Sequence, residues 1–504
     1  MLNRQFALNT YATLLNLIIQ FSISFFLTSY LVKSVGATAY GFFTLANTVV
    51  NYTIIISSAL NSMSARFVGI EYHNNHIDNA TKYYTSILFA DLLLVGVLLL
   101  PACLGIWYIN KFINVPDDLL SDVRILFYVI FANMCINVGS AIFSIVFVIK
   151  NRLDLSSIIT IISNLIKASL LIFLYISFKP TIIYLGVATL IATIFIFVSN
   201  IYYTKRFLPE IKPTIKAIRW TAIKTVLYAG IWNSLTYLGA ALLHSFDLLI
   251  CNIMISAQAM GCLSVAGVLP GVVGICIGTL SNLFTPKYIE LFAANNYDGL
   301  LSEIRNSIRF LTIMSCAPIC FLVGFGMSFY RLWVPNTDSQ MAYLLSVFII
   351  IPYFTGAAIN SVNYLYTVAN KVKWPSIVLL ITGAINLLIV YGLLKFSNIG
   401  VYSIVIVSAF IGLIRNVLFN APYAANCIKQ KLNVFYPDIL RSFVTTLVAC
   451  VLAFLVDRYF IPSTWLDLIL VGGLTTILIT LLVAFVTLDR NQIKILLNKL
   501  ILNS

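Results

Sequence analysis

Along this chain, long runs of mostly apolar residues alternate with short polar breaks, and the alternation occurs fourteen times. A helix that spans a bilayer needs roughly 20 such residues. The runs fall at about 7–32, 40–66, 83–108, 123–149, 155–177, 181–204, 223–247, 261–286, 308–330, 341–368, 375–395, 399–425, 439–459 and 466–487. Several exceed the minimum, which predicts tilted helices or helix ends that reach water. The pattern therefore predicts an all-α polytopic membrane protein with 14 transmembrane helices. The first run carries Asn9, Thr13, Asn16 and Gln20 and is long, unlike the short apolar stretch of a cleaved signal peptide, so a retained helix is expected.

Composition agrees, with 61% hydrophobic residues, 10% charged residues and a mean hydropathy of +0.98. Charge adds an orientation. With the N-terminus inside, 22 of the 31 lysines and arginines fall on the cytoplasmic side and 7 on the other, which predicts that both termini are cytoplasmic. The net charge of +14 then reports topology and contact with anionic headgroups. No soluble basic domain exists to bind nucleic acid. The nine cysteines are scattered, and Cys316 and Cys320, on one helix face, read as small buried apolar residues. His73 and His76 sit in a polar loop with no third ligand, so no metal and no cofactor are expected. The sequence shows no nucleophile with a base, no phosphate-binding glycine loop and no catalytic soluble domain, which argues against an enzyme.

Shifted by 220 positions, the chain echoes itself: Ala39, Gly41 and Ala46 fall on Ala259, Gly261 and Ala266, and Asp78 falls on Asp298. With a shift of 219, "NRLD" at Asn151 meets "NKVK" at Asn370. Hydropathy follows the same repeat. The expected organisation is a six-helix lobe at 1–210, a basic linker at 211–222, a second six-helix lobe at 223–430, two further helices within 431–487 and a basic cytoplasmic tail at 488–504. An even number of helices per copy gives both copies one orientation, related by an axis along the membrane normal, with a cavity expected between them.

Polar residues recur at helical spacing. The first helix carries Asn9, Thr13, Asn16, Gln20, Ser24 and Thr28; the second carries Thr44, Asn47, Asn51, Ser58, Ser62 and Arg66. The fourth gives Asn133 and Asn137, the seventh Asn233 and Thr236, the tenth Asn360 and Asn363. Such stripes either glue helices together or line a wet cavity; four of them on corresponding helices favour the cavity. Ionisable residues inside hydrocarbon are costly and are functional candidates. Lys167, Arg415, Asp91, His244 and Asp247 are such residues, the alternative being a buried ion pair such as Asp91 with Lys167 or Arg415. Lys167 aligns with Asn386 in the second copy. Arg66 stands where the second apolar run stops.

The G-x-x-x-Y-G-x-F pattern at Gly36, Tyr40, Gly41 and Phe43, the Ser-x-Arg-Phe sequence at Ser64, Arg66 and Phe67, and the helix count resemble the polysaccharide flippases. These are the Wzx-like O-antigen and capsule flippases of the multidrug/oligosaccharidyl-lipid/polysaccharide (MOP) exporter superfamily. The resemblance implies a MATE-like fold of two six-helix lobes plus two C-terminal helices. It also implies export of a polyprenyl-pyrophosphate-linked oligosaccharide across the bacterial cytoplasmic membrane by alternating access, with membrane lipids and a polysaccharide polymerase as partners. On that reading Arg66, Lys167 and Arg415 meet the pyrophosphate by charge-assisted hydrogen bonds. Asn16, Gln20, Asn47, Asn51, Asn137, Asn233, Asn360 and Asn363 meet the sugars, and Asp91, His244 and Asp247 are candidates for ion coupling. The two extra helices would make a groove for the lipid tail, as in lipid II flippases. The alternative function is a cation-coupled multidrug antiporter of the same fold, which calls for a carboxylate deep in a lobe; Asp91 is the clear one in the first.

Overall fold

The structure, a computed structural model, describes residues 4–487. The basic tail expected at 488–504 lies outside the described residues. All regular structure among the described residues is helical. Among the described residues thirteen helices are long and apolar enough to cross a membrane, and a bent pair counted as one span makes a fourteenth. They are α1 (Arg4–Val35), α2 (Ala37–His73), α3 (Ile77–Trp107), α4 (Asp117–Ile149), α5 (Leu153–Ser177), α6 (Ile183–Phe207) and α7 (Trp220–Met254). The rest are α8 (Ala257–Ala293), α9 (Tyr297–Trp333), α10 (Ser339–Val368), α11 (Lys373–Phe396), α12 (Val401–Cys427), α13 (Tyr436–Tyr459) and α14 (Trp465–Thr487). Every apolar run predicted from the sequence lies on its own helix. The chain is a multi-pass membrane protein. In hydrocarbon no water satisfies the backbone, so even runs rich in Ile and Val fold as helices.

Left-handed residues end several of these helices. Gly36, at φ 87°, is the single residue between α1 and α2, a conformation glycine adopts without a Cβ clash. Asn75 closes α2 at φ 61° and Asn295 closes α8 at φ 54°. In both turns the amide of the following residue reaches back five positions, His76 N to Glu71 O at 2.9 Å and Asn296 N to Leu291 O at 3.0 Å. Asn151 (φ 52°) and Asn370 (φ 54°) repeat the motif after α4 and α10, each followed by a 2.7 Å bond, Arg152 N to Phe147 O and Lys371 N to Tyr366 O. The faint sequence repeat is thus matched by local geometry.

The chain divides into two units, Met1–Ser264 with Ser376–Leu387, and Val265–Pro375 with Leu388–Ser504. In the first, α2 crosses α7 where a Cβ on Gly230 would fall 2.1 Å from the Ala59 oxygen, so the backbones touch. α7 and the middle of α11 also meet backbone to backbone, because a Cβ on Gly383 would meet the Gly239 oxygen at 2.7 Å. Thr236 and Ser376 join the same two helices at 2.7 Å. A core of Val68, Tyr84, Ile87, Val146, Phe147 and Val226 closes one end. In the second unit α9 is the spine. α13 lies along it through Arg305 to Asp438 at 3.3 Å, Thr312 to Ser442 at 2.9 Å and Ser328 to Asp457 at 3.4 Å. α14 adds Trp465 edge-on to Phe329. Leu300, Ile304, Val362, Leu365 and Phe435 belong to a buried core of that unit.

Candidate functional site

In the first unit, Lys167 of α5 is half-buried, with its Nζ 5.6 Å from the centre of the Phe43 ring on α2. A cation over an aromatic face in a low-dielectric setting keeps part of the stabilisation it loses on leaving water. Tyr40 of the same motif supports that ring. Tyr40 packs on Phe43 with ring centres 6.3 Å apart, and the Tyr40 hydroxyl lies 3.3 Å from Thr28 Oγ1 on α1. Asn47 donates to the Phe43 carbonyl at 2.8 Å. Of the motif, Phe43 meets the lysine and Tyr40 backs Phe43, while Gly36 turns the chain between α1 and α2 and Gly41 packs against Gly261. Lys167 makes no ion pair among the described residues. Asn386, its aligned partner, is fully buried and donates to the Leu243 carbonyl at 3.2 Å, within the π-helical stretch Ala241–Ser245 of α7.

Arg66 is exposed. The helix does not stop there, because Val68 packs fully buried with Ile145 and Ile149 and carries α2 on to His73. Nor is the stripe before it one face: α2 bends by 60° between its segments Ala37–Thr53 and Ile55–His73. Asn47 and exposed Asn51 lie on one segment, Arg66 on the other. Ser58 is buried and bonded to Ser234 at 3.0 Å, and Asn233 donates to Ser62 at 3.0 Å, so this part of the stripe joins α2 to α7. On α1, Asn9 donates to Asn151 Oδ1 at 3.0 Å and accepts from the Asp154 amide at 2.9 Å, while Thr13 lies 3.4 Å from Ser157. Those two positions are interhelical glue. Asn16 beyond them is half-buried and Gln20 is exposed.

Two stripe asparagines each donate one amide hydrogen to their own helix, Asn137 to the Asn133 carbonyl at 3.0 Å and Asn360 to the Gly356 carbonyl at 2.9 Å. Each keeps one amide hydrogen and its oxygen for other partners. The amide oxygens of Asn16 and Asn363 are buried and have no partner among the described residues. Such oxygens suit a ligand rich in hydroxyl donors.

Asp91 is fully buried on α3 and accepts from Asn61 Nδ2 at 3.1 Å. The ion pair with Lys167 offered as its structural alternative does not form among the described residues. The stripe pattern pointed past Asn61, which sits one position off the Ser58–Ser62 line. Asp247 has one buried oxygen without a described partner and follows the stacked pair Tyr52 and Phe246, ring centres 4.6 Å apart. His244 is exposed in the π-helical stretch before it. Arg415, in the second unit, is half-buried with Nη1 unpartnered among the described residues, directly before the π-helical stretch Asn416–Asn420. A separate apolar cavity of about 420 Å³, bordered by Leu45, Tyr52, Ile106, Phe127, Phe131 and Phe246, holds none of the residues singled out from the sequence.

No family model matches the chain. It is 28% identical over 446 residues, 86% of each chain, to the uncharacterized membrane protein EpsK of Bacillus subtilis (strain 168). Among solved structures it is similar to the inward closed conformation of the lipid II flippase MurJ, with a TM-score of 0.69 and 15% identity over 95% of this chain and 98% of that one. It is also similar to the inward-facing conformation of a multidrug resistance MATE family transporter of the MOP superfamily, with a TM-score of 0.65 and 13% identity over 82% and 98%. The likeness establishes the fold, the all-α fold shared by MATE transporters and MurJ. These proteins are named as a membrane protein, a flippase and a transporter, and none as an enzyme.

Proposed function

We propose that this protein moves a polyprenyl-pyrophosphate-linked oligosaccharide, an O-antigen, capsule or exopolysaccharide repeat unit, across the bacterial cytoplasmic membrane by alternating access. The observation that carries the reading is Lys167, a cation held inside a helical bundle by an aromatic face and by no acid among the described residues. A half-buried cation with no acid beside it among the described residues can receive an anion. Arg66 and Arg415 are the further cations for the pyrophosphate, and the acceptor oxygens of Asn16 and Asn363 stand ready for sugar hydroxyls. The likeness to the lipid II flippase covers 95% of the chain, against 82% for the MATE transporter. The organisation proposed is six helices, six helices and two, with both termini cytoplasmic and a polysaccharide polymerase as a downstream partner. Surface polysaccharide at matched protein levels tests it: Lys167→Ala should abolish export and Lys167→Arg should retain part.

The buried carboxyl of Asp91 favours a second reading, a cation-coupled antiporter of the same fold. Proton- or sodium-driven efflux of organic cations, lost in Asp91→Asn with surface glycan intact, is the outcome that would select it.

A further inference from the structure

The pair of Asp91 and Asn61 is incomplete in a specific way. One of its hydrogen bonds stands, Asn61 Nδ2 to Asp91 Oδ1 at 3.1 Å. The other two heavy atoms of the same groups, Asp91 Oδ2 and Asn61 Oδ1, are both buried and both without a partner among the described residues. An ionised carboxylate only accepts hydrogen bonds, and so does an amide oxygen. As an anion, Asp91 would leave two acceptors unserved and a bare charge in hydrocarbon, where unsatisfied polar groups are expensive. A single proton on Oδ2 removes the charge and supplies the missing donor, closing the two-bond ring that a carboxylic acid makes with a primary amide.

The described side chains around the pair supply no second hydrogen bond. α3 packs against α2, α4, α7 and the segment before α7. Their titratable groups include Arg66 and Glu71 on α2, Arg124 and Cys135 on α4, Lys224 and Asp247 on α7, and Lys216 before it. None bonds to Asp91, and neither do Asp78 and Lys82 on α3 itself; Asn61 is its hydrogen-bonding partner among the described residues. A metal ion would call for several more oxygen ligands than these two.

We propose that Asp91 is a proton-binding site, neutral when closed on the Asn61 amide, and that this proton fastens the Ile55–His73 segment of α2 to α3. Asn61 lies on the segment that follows the 60° bend, the one that also carries Arg66. Loss of the proton to the aqueous phase leaves a charge that is stabilised only by hydration, and hydration requires the segment to part from α3. Return of the proton closes it. The site is thus a proton-dependent latch on the arm bearing Arg66, and it stands or falls apart from what the protein carries.

Infrared difference spectroscopy on the full chain in nanodiscs tests the proton directly. The wild type should show the carbonyl stretch of a protonated buried carboxyl at neutral pH. Asp91→Asn should lose it, and Asn61→Ala, in which the carboxyl loses its partner, should shift it. The latch is read by thiol labelling of Ser62→Cys relative to Asn75→Cys in a cysteine-free background, compared at each pH with the same cysteines in Asp91→Asn, which shares their thiol ionisation. The ratio should rise several-fold with pH in the wild type and stay flat in Asp91→Asn. A wild-type spectrum indistinguishable from Asp91→Asn, a labelling ratio that responds to sodium instead of pH, or an unchanged pH response in Asp91→Asn would each overturn the proposal.

Discussion

Gly41 of α2 and Gly261 of α8 meet backbone to backbone: a methyl group on Gly41 would lie 2.8 Å from Gly261 Cα, and one on Gly261 would lie 2.6 Å from the Ala37 oxygen. The two are equivalent under the 220-residue shift of the sequence repeat. Alanine at either position has to push backbone apart, and overpacking of this kind costs about 1–3 kcal/mol. Gly41→Ala and Gly261→Ala should each unfold at lower temperature in detergent. Gly278→Ala, whose methyl group would enter open space, should melt like the wild type.

The four left-handed asparagines make a second prediction. A non-glycine residue that cannot bond locally loses roughly 1–2 kcal/mol in this conformation. Asn75→Val and Asn295→Val should therefore destabilise by similar amounts, since both close the same turn, while Asn75→Gly and Asn295→Gly should be neutral or better. Matching losses at the two positions, measured by thermal unfolding, are expected from a true repeat.

Topology is tested by labelling. Cysteines at Asp118, in the first turn of α4, and at Asn336, between α9 and α10, both exposed, should react with an impermeant thiol reagent on intact cells, and one at Asn75 should not. Asn114 is a poor choice for this purpose, because its amide is tied to Asn252 at 2.7 Å and 2.8 Å. Protection at Asp118 would invert the proposed orientation.

Much of the helical framework was legible in the apolar runs, because the bilayer leaves a long apolar segment no other way to satisfy its backbone. The ends were less so. α2 runs past Arg66 through Val68 and Gly69, whose packing against Ile149 depends on a helix far away in sequence. The stripes, which by spacing favour a cavity over glue, do not behave alike. Asn9, Thr13, Ser58 and Asn233 face polar partners on neighbouring helices, whereas Asn16 and Asn363 keep buried oxygens without described partners, and spacing alone is the same for both. Asn61 was invisible for a related reason: its meaning comes from Asp91, thirty positions on and on another helix.

Arg66 separates anchoring from binding. An anchor needs only positive charge, whereas bidentate pairing with a phosphate needs the planar guanidinium. Arg66→Lys should insert normally and flip poorly, and Arg66→Ala should accumulate lipid-linked oligosaccharide on the cytoplasmic face. Full surface polysaccharide from Arg66→Ala at matched expression would reduce this arginine to a topology signal.

The most direct measurement reconstitutes the purified protein in vesicles that carry a fluorescent polyprenyl-pyrophosphate-linked oligosaccharide and follows its movement between leaflets with an impermeant quencher. The wild type should speed exchange well above protein-free vesicles, Lys167→Ala should return it to that baseline, and Lys167→Arg should fall between. Exchange no faster than in protein-free vesicles, together with uptake of an organic cation by the same preparation, would contradict the flippase reading.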